Sequence, residues 1–197
     1  MKLLLYILFY LHSSNSLNSY NASIYNFLDE GSYIRIHVKT NIDEFPCDYV
    51  NQKITHLPNC NIFQENDRLQ TLEAMIEVPI KLFDCGNTLI NKDFCDLLNQ
   101  DDYPFIVISI DSLKESKKSV KHKQVGNALI KIHIAGKIKN YQVEYYYDKA
   151  NHDIVTIKGN QMIDITDFGL EPPSKVMGLI KTNKYVLIEF EFNLSTS

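Results

Sequence analysis

Along most of the chain beyond residue 30, apolar and polar side chains alternate with a period of two. That is the mark of a β-strand with one buried face. In 33–40, Ile34, Ile36 and Val38 alternate with Tyr33, Arg35, His37 and Lys39. In 71–83, Leu72, Ala74, Ile76, Val78, Ile80 and Leu82 form one face, with Glu73, Glu77 and Lys81 on the other. Pro79 in this stretch calls for an edge position or a bulge. The pattern returns in 125–135, where Ala128, Ile130, Ile132 and Ile134 oppose Asn127, Lys131 and His133. Gly136-Lys137 is short enough for a hairpin turn. The next strand, 138–148, sets Tyr141, Val143, Tyr145 and Tyr147 on one face. The last, 184–194, sets Val186, Ile188, Phe190, Phe192 and Leu194 inward, with Glu189, Glu191 and Asn193 outward. Weaker strands are expected at 45–52, 54–63, 105–113 and 152–158.

One segment departs from the alternation. In 88–99, Leu89, Ile90, Phe94, Leu97 and Leu98 recur at helical spacing, and Asn87 stands where an N-cap belongs. It reads as a short helix over one end of the sheet. A second helical turn is expected within 163–170, ahead of Glu171-Pro172-Pro173. So many one-faced strands, with so little helix to cover them, must close on themselves or pack on a second sheet. Closure also removes exposed edges. The fold class expected is therefore all-β, an antiparallel barrel with one or two short helices.

The first 16 residues interrupt this picture. Lys2 precedes an apolar run from Leu3 to Leu11, and small polar residues follow. The run is too short for a bilayer-spanning helix, which needs about 20 apolar residues, and suits a signal peptide cleaved near Ser14-Asn15-Ser16. The expected organisation is a signal peptide at 1–16, an N-terminal segment at 17–29 and a barrel domain at 30–197. No later segment is apolar enough to cross a membrane as a helix, so the mature chain is expected to be soluble, exported, and periplasmic or secreted. The four cysteines, Cys47, Cys60, Cys85 and Cys95, suit two disulfides in an exported chain. Four cysteines allow three pairings, and the residues themselves favour none of them.

Composition excludes more than it assigns. The net charge is −4 with both signs interspersed. The lysine-rich stretch Lys114 to Lys123 lies between two strand-like segments and reads as a solvated loop, so nucleic acid is not an expected partner. The histidines (His12, His37, His56, His122, His133 and His152) show no metal-binding spacing, and no metal or cofactor is expected. There is no nucleophile elbow and no glycine-rich phosphate loop. Asn21-Ala22-Ser23 and Asn193-Leu194-Ser195 match glycosylation acceptors only by pattern.

Several motifs, taken in order, resemble the YceI-like family of exported lipid-binding barrels. They are Thr40-Asn41-Ile42-Asp43-Glu44-Phe45-Pro46-Cys47; Phe83-Asp84-Cys85-Gly86-Asn87; Asn91-Lys92-Asp93-Phe94 with Leu98; and Tyr103-Pro104-Phe105-Ile106. Asn127 to Gly136, Asp167 to Pro173, Gly178 and Val186 to Leu194 continue the resemblance, which covers roughly residues 30–194. The chain departs from the family in having no tryptophan, and Cys60 and Cys95 are not part of the family pattern. The resemblance implies an eight-stranded, lipocalin-like barrel whose interior holds a polyisoprenoid or similar long-chain lipid. It also pairs Cys47 with Cys85, and the preferred set adds Cys60 with Cys95. Inward parity and nearness to the helical segment then nominate Phe94, Leu98, Phe105, Ile132, Ile134, Tyr145, Phe168, Ile188 and Phe190 as ligand-binding residues. The function implied is non-catalytic carriage or sequestration. Two alternatives stand beside it: a structural barrel filled by its own side chains, and a barrel enzyme acting on a lipid or quinone. A homodimer is left open.

Overall fold

A computed structural model of the chain describes residues 24–53, 55–57, 60–65, 68–120, 123–149, 153–175 and 178–196. The expected signal peptide lies outside the described residues, as do His12, His122, His152 and the acceptor pattern at Asn21. The strands in chain order are β1 (Ile24–Tyr25), β2 (Phe27–Leu28), β3 (Tyr33–Lys39), β4 (Glu44–Val50), β5 (Thr55–His56), β6 (Cys60–Glu65) and β7 (Arg68–Pro79). They continue with β8 (Phe105–Val120), β9 (Lys123–Ile134), β10 (Lys137–Lys149), β11 (Ile154–Asp164), β12 (Ser174–Lys175), β13 (Ile180–Lys181) and β14 (Tyr185–Ser195). The helix α1 (Thr88–Leu97) lies between β7 and β8, and 3-10 turns occupy Ile80–Leu82 and Ile165–Phe168.

All pairing in the main sheet is antiparallel, and β6-β7-β8-β9-β10-β11-β14 follow one another edge to edge. Residues 24–28 join the two ends of that path, because β1 pairs with β6 while β2 pairs with β14. Residues 24–28 are thus part of the barrel wall. β3 continues along β14 and carries β4 on its other edge. At the far end, Asp48 of β4 forms a bridge with Asp84, just beyond β7. The sheet is therefore curled and barrel-like, as expected, but the count differs from eight. The added strands arise because the edge of β14 is shared by β2 and β3, which carry β5 and β4 on their other edges, and because β1 is a separate piece on β6.

The inward faces follow the alternation. Ile34, Ile36, Ala74, Ile76, Val78, Val143, Tyr145, Tyr147, Val186, Phe192 and Leu194 are buried. Local differences have local causes. Pro79 is the last residue of β7, where its missing N–H interrupts no ladder. The 3-10 turn that follows breaks the alternation, so Ile80 is buried and Leu82 is exposed. The lysine-rich stretch is not a loop: β8 runs to Val120, and Val120 and Ser119 pair with Lys123 and Gln124 of β9. Cross-strand pairing outweighs the low strand propensity of lysine there. The β9–β10 hairpin turns at Ala135-Gly136, one residue earlier than expected, with both residues at positive φ (46° and 73°). Asn193 lies within β14, half-buried, and its side chain accepts a hydrogen bond from Thr156 Oγ1 at 2.7 Å. That environment does not suit a glycosylation acceptor.

Candidate functional site: an apolar cavity inside the barrel

The motif Phe83-Asp84-Cys85-Gly86-Asn87 builds the end of the barrel at which the helix sits. Asp48 and Asp84 exchange backbone hydrogen bonds, each 2.8 Å. Cys47 and Cys85 form a disulfide beside them, as the resemblance implies. The Asp84 carboxylate accepts from the Gly86 N–H and from Asn91 Nδ2, and these donors hold its pKa below the ordinary carboxylate value. Asn91 Oδ1 in turn accepts from Cys85 N–H at 2.6 Å. The Asn87 side chain accepts from Leu89 N–H and caps α1. Together these contacts close the wall and fix α1 across the barrel end.

Cys60 and Cys95 do not pair, which corrects the expected second disulfide. Both are free thiols, Cys60 buried and Cys95 half-buried on α1. Cys60 opens β6, opposite Ala74 of β7, whereas Cys95 is carried on α1. Burial pushes the Cys60 thiol pKa up to about 11.

Under α1 the barrel encloses a cavity of about 380 Å³. Ile36, Ile76, Ile106, Ile108, Ile110, Ile130, Ile163, Ile188 and Phe190 line its middle. Thr40, Asp93, Gln161 and Thr182 are the polar side chains among its lining residues. Its floor is formed near Ile62, Tyr145 and Leu194, each at most 1% exposed. At the other end the lining includes Thr40, Ile90, Phe94, Leu97, Pro173, Ile180 and Thr182, all only partly buried. The cavity is thus sealed at the β1–β6 end and leads out beneath α1. The interior is not filled by its own side chains.

Of the residues nominated from the sequence, Phe94, Leu98, Ile132, Ile134, Tyr145, Phe168, Ile188 and Phe190 line this cavity. Phe105 does not: at the first position of β8 it is 40% exposed and is not among the lining residues. Its neighbour Ile106 takes the inward position instead.

Two glycines that the sequence reading passed over shape the space. Gly126, Tyr145, Gly159, Phe190 and Ile34 form one row across five adjacent strands. The Tyr145 ring lies over Gly126 and the Phe190 ring over Gly159, where a Cβ would come within 2.3 and 2.6 Å of ring carbons. Small residues beside large ones let the two aromatic rings lie along the wall rather than stand across the lumen. A lone glycine within a strand pattern is the signal that could have found them.

Among the described residues no group of three or more His, Cys, Asp or Glu side chains is gathered as for a metal ion. Among them also, no helix is long and apolar enough to cross a membrane.

Solved structures share this architecture. A polyisoprenoid binding domain from Saccharophagus degradans, implicated in plant cell wall breakdown, superposes with a TM-score of 0.65 at 8% identity, covering 88% of this chain and 99% of that one. BcnA of Burkholderia cenocepacia gives 0.62 at 15% identity, covering 81% and 95%. A mutant CJ YCEI protein gives 0.50 at 14% identity, covering 67% and 78%. The chain shares the YceI-like fold. At these identities the likeness is one of architecture, and no family model or curated protein matches the sequence. In this YceI-like barrel the F-D-C-G-N motif is structural, and the chemistry on offer is that of an apolar cavity.

Proposed function

We propose that the chain is a YceI-like protein that takes up a polyisoprenoid or other long-chain apolar lipid in its barrel, as a carrier or sequestering protein rather than an enzyme. The observation that carries this reading is the cavity of about 380 Å³ with its almost wholly aliphatic and aromatic lining. That volume falls in the usual range of ligand pockets, about 300–1,000 Å³. The fold likeness to a polyisoprenoid binding domain agrees with it. Export to a periplasmic or secreted location is part of the proposal. It is supported by the Cys47–Cys85 disulfide and by the apolar run Leu3 to Leu11.

Energetics set the minimum length of the cargo. A buried methylene contributes about 0.8 kcal/mol, so a five-carbon isoprene unit contributes roughly 3–4 kcal/mol gross. Association costs about 4–15 kcal/mol. Several units are needed before binding is useful, and a single terpene unit falls short. With so few polar groups along the wall, chain length and branching dominate selection over headgroup chemistry.

Native mass spectrometry of the purified full chain tests the proposal. A co-purified apolar mass, or uptake of an added polyprenyl alcohol at one equivalent, is the expected result. A bare mass that stays bare after incubation with polyprenyl alcohols and with fatty acids would overturn it.

A further inference from the structure

Three separate segments meet around the open end of the cavity, and each presents one residue inward and an apolar neighbour outward. In the β3–β4 turn Thr40 lines the cavity while Ile42 is 68% exposed. On α1, Ile90 lines it while Leu89 is 74% exposed. At the start of β13, Ile180 lines it while Leu179 is 71% exposed. These are the most exposed large apolar side chains among the described residues, and all of them sit at this one end.

Two of the three segments are fixed to each other. Asn41 Nδ2 donates to the Leu179 carbonyl at 2.9 Å, and Lys181 N–H donates to Asn41 Oδ1 at 2.8 Å. Thr40 and Thr182 form a bridge beside them. Ile42 and Leu179 are therefore held outward by a hydrogen-bonded frame. Of the charges nearby, Lys39 pairs with Glu44 at 3.1 Å, Lys92 with Asp96, and Lys184 with Asp164 at 2.7 Å, while Lys181 and Asp43 add one charge of each sign. No excess of cations faces an anionic partner.

We propose that this end of the barrel docks on a phospholipid bilayer, with Ile42, Leu89 and Leu179 entering the interface. The proposal rests on the lipid-carrier reading of the cavity. A cargo that apolar walls would bind is held in bilayers and not in water, so the cavity's opening must meet a bilayer to load. The rim continues the apolar lining outward at the point where such a surface would lie. Side chains of this kind enter the headgroup–acyl boundary in proportion to the apolar area they bury. Because the neighbouring charges balance, the contact is with neutral, zwitterionic lipid and depends little on salt.

The test uses the full chain and its triple variant Ile42→Ser, Leu89→Ser, Leu179→Ser, with thermal unfolding to confirm that both are folded. Sedimentation with phosphatidylcholine vesicles should carry down the unaltered protein at both low and high salt. The variant should partition at least about tenfold less, a factor that loss of one buried aliphatic side chain would already supply. Transfer of a fluorescent polyprenyl probe out of the vesicles should slow in parallel. Probe added directly from a dilute solvent stock should still fill the variant. Equal sedimentation of both proteins, or none by the unaltered one, overturns docking even where the probe binds. Loss of a dimer in the variant with unchanged vesicle binding assigns the patch to a second copy and also overturns it. Failure of the unaltered protein to take up probe from solvent strikes the carrier reading instead, and leaves the sedimentation result to judge the rim; failure of the variant alone overturns a role confined to docking.

Discussion

The Tyr145 ring lies across the backbone of Gly126, its partner on the neighbouring strand, so closely that a Cβ there would sit 2.3 Å from the ring's Cζ. Tyr145 is 1% exposed, so the ring cannot swing out into solvent to make room. Gly126→Ala should therefore destabilise the fold by about 1–3 kcal/mol, the usual penalty for overpacking. For a chain of this size that is a fall of roughly 2–12 °C in Tm. Shrinking the ring relieves the conflict. In the double variant Gly126→Ala, Tyr145→Leu, the loss measured by thermal unfolding should be smaller than the sum of the single losses. Additive losses would mean that the two positions do not compete for one volume.

The disulfide joins β4 to the turn before α1, and it closes a loop of 38 residues. In the chain-entropy model a loop of that length is worth roughly 4 kcal/mol. Cys47→Ser with Cys85→Ser should lower the denaturant midpoint accordingly and steepen the transition slightly, because the released unfolded chain exposes more surface. Adding reductant should do the same to the unaltered protein and nothing to the variant.

Free-thiol chemistry checks the correction at Cys60 and Cys95. The folded, oxidised protein should yield two titratable thiols once unfolded, and none would remain if these cysteines were bonded. In the folded state Cys95 should alkylate first. Cys60 is fully buried, and its thiol pKa is about 11. A raised thiol pKa means less thiolate at pH 8 and slower reaction. Alkylation of Cys60 should follow global unfolding, which peptide mapping of the modified protein can resolve.

Strand faces were legible in the sequence because a period of two is a local property: Ile34 and Ile36, or Val186 and Phe192, declare their side from neighbours alone. What depended on distant partners was not legible. Ile24 to Leu28 is too short to read as a strand, and it forms β1 and β2 because β6 offers an edge to the first and β14 to the second. Lys114 to Val120 has the composition of a loop, and it is held extended by β9. The cavity shows the same limit. Ile188 and Phe190 share the parity of Val186 and Phe192, yet the inner pair is only half-buried while the outer pair is buried. Parity says which way a side chain points. How much space remains there is set by register across strands far apart in the chain, such as the row from Gly126 to Ile34. Phe105 fails for a related reason, since the strand starts after Pro104 and the inward position falls to Ile106.

Asp164 accepts hydrogen bonds from Lys184 Nζ at 2.7 Å and from Thr166, and these donors hold its pKa down at about 2. A carboxyl lowered on folding contributes stability that is present above its unfolded value, near 4, and is lost as pH falls through its folded value. The window is therefore about pH 4 to pH 2. Tm of the unaltered protein should fall across that window more steeply than Tm of Asp164→Asn, because the variant has no proton to gain there. Parallel pH profiles for the two proteins would show that the pair with Lys184 carries no net stability.

Ile134 and Phe105 separate the inside of the wall from the outside. Ile134 ends β9, is 7% exposed and lines the cavity. Phe105 is 40% exposed and does not line it. A glutamate at 134 would place a carboxylate, which sheds water at high cost, against a wall built for hydrocarbon. Ile134→Glu should abolish uptake of a fluorescent polyprenyl probe while the protein still unfolds cooperatively, at a reduced temperature. Phe105→Ser should leave uptake within about twofold of the unaltered protein, a change of under ~0.5 kcal/mol. The contrast controls for a general loss of fold, since both positions lie at the helix end of the barrel. Equal uptake by Ile134→Glu and the unaltered protein would show that the ligand does not reach the β9 wall, and an equal loss in Phe105→Ser would place the binding surface on the outside of the sheet.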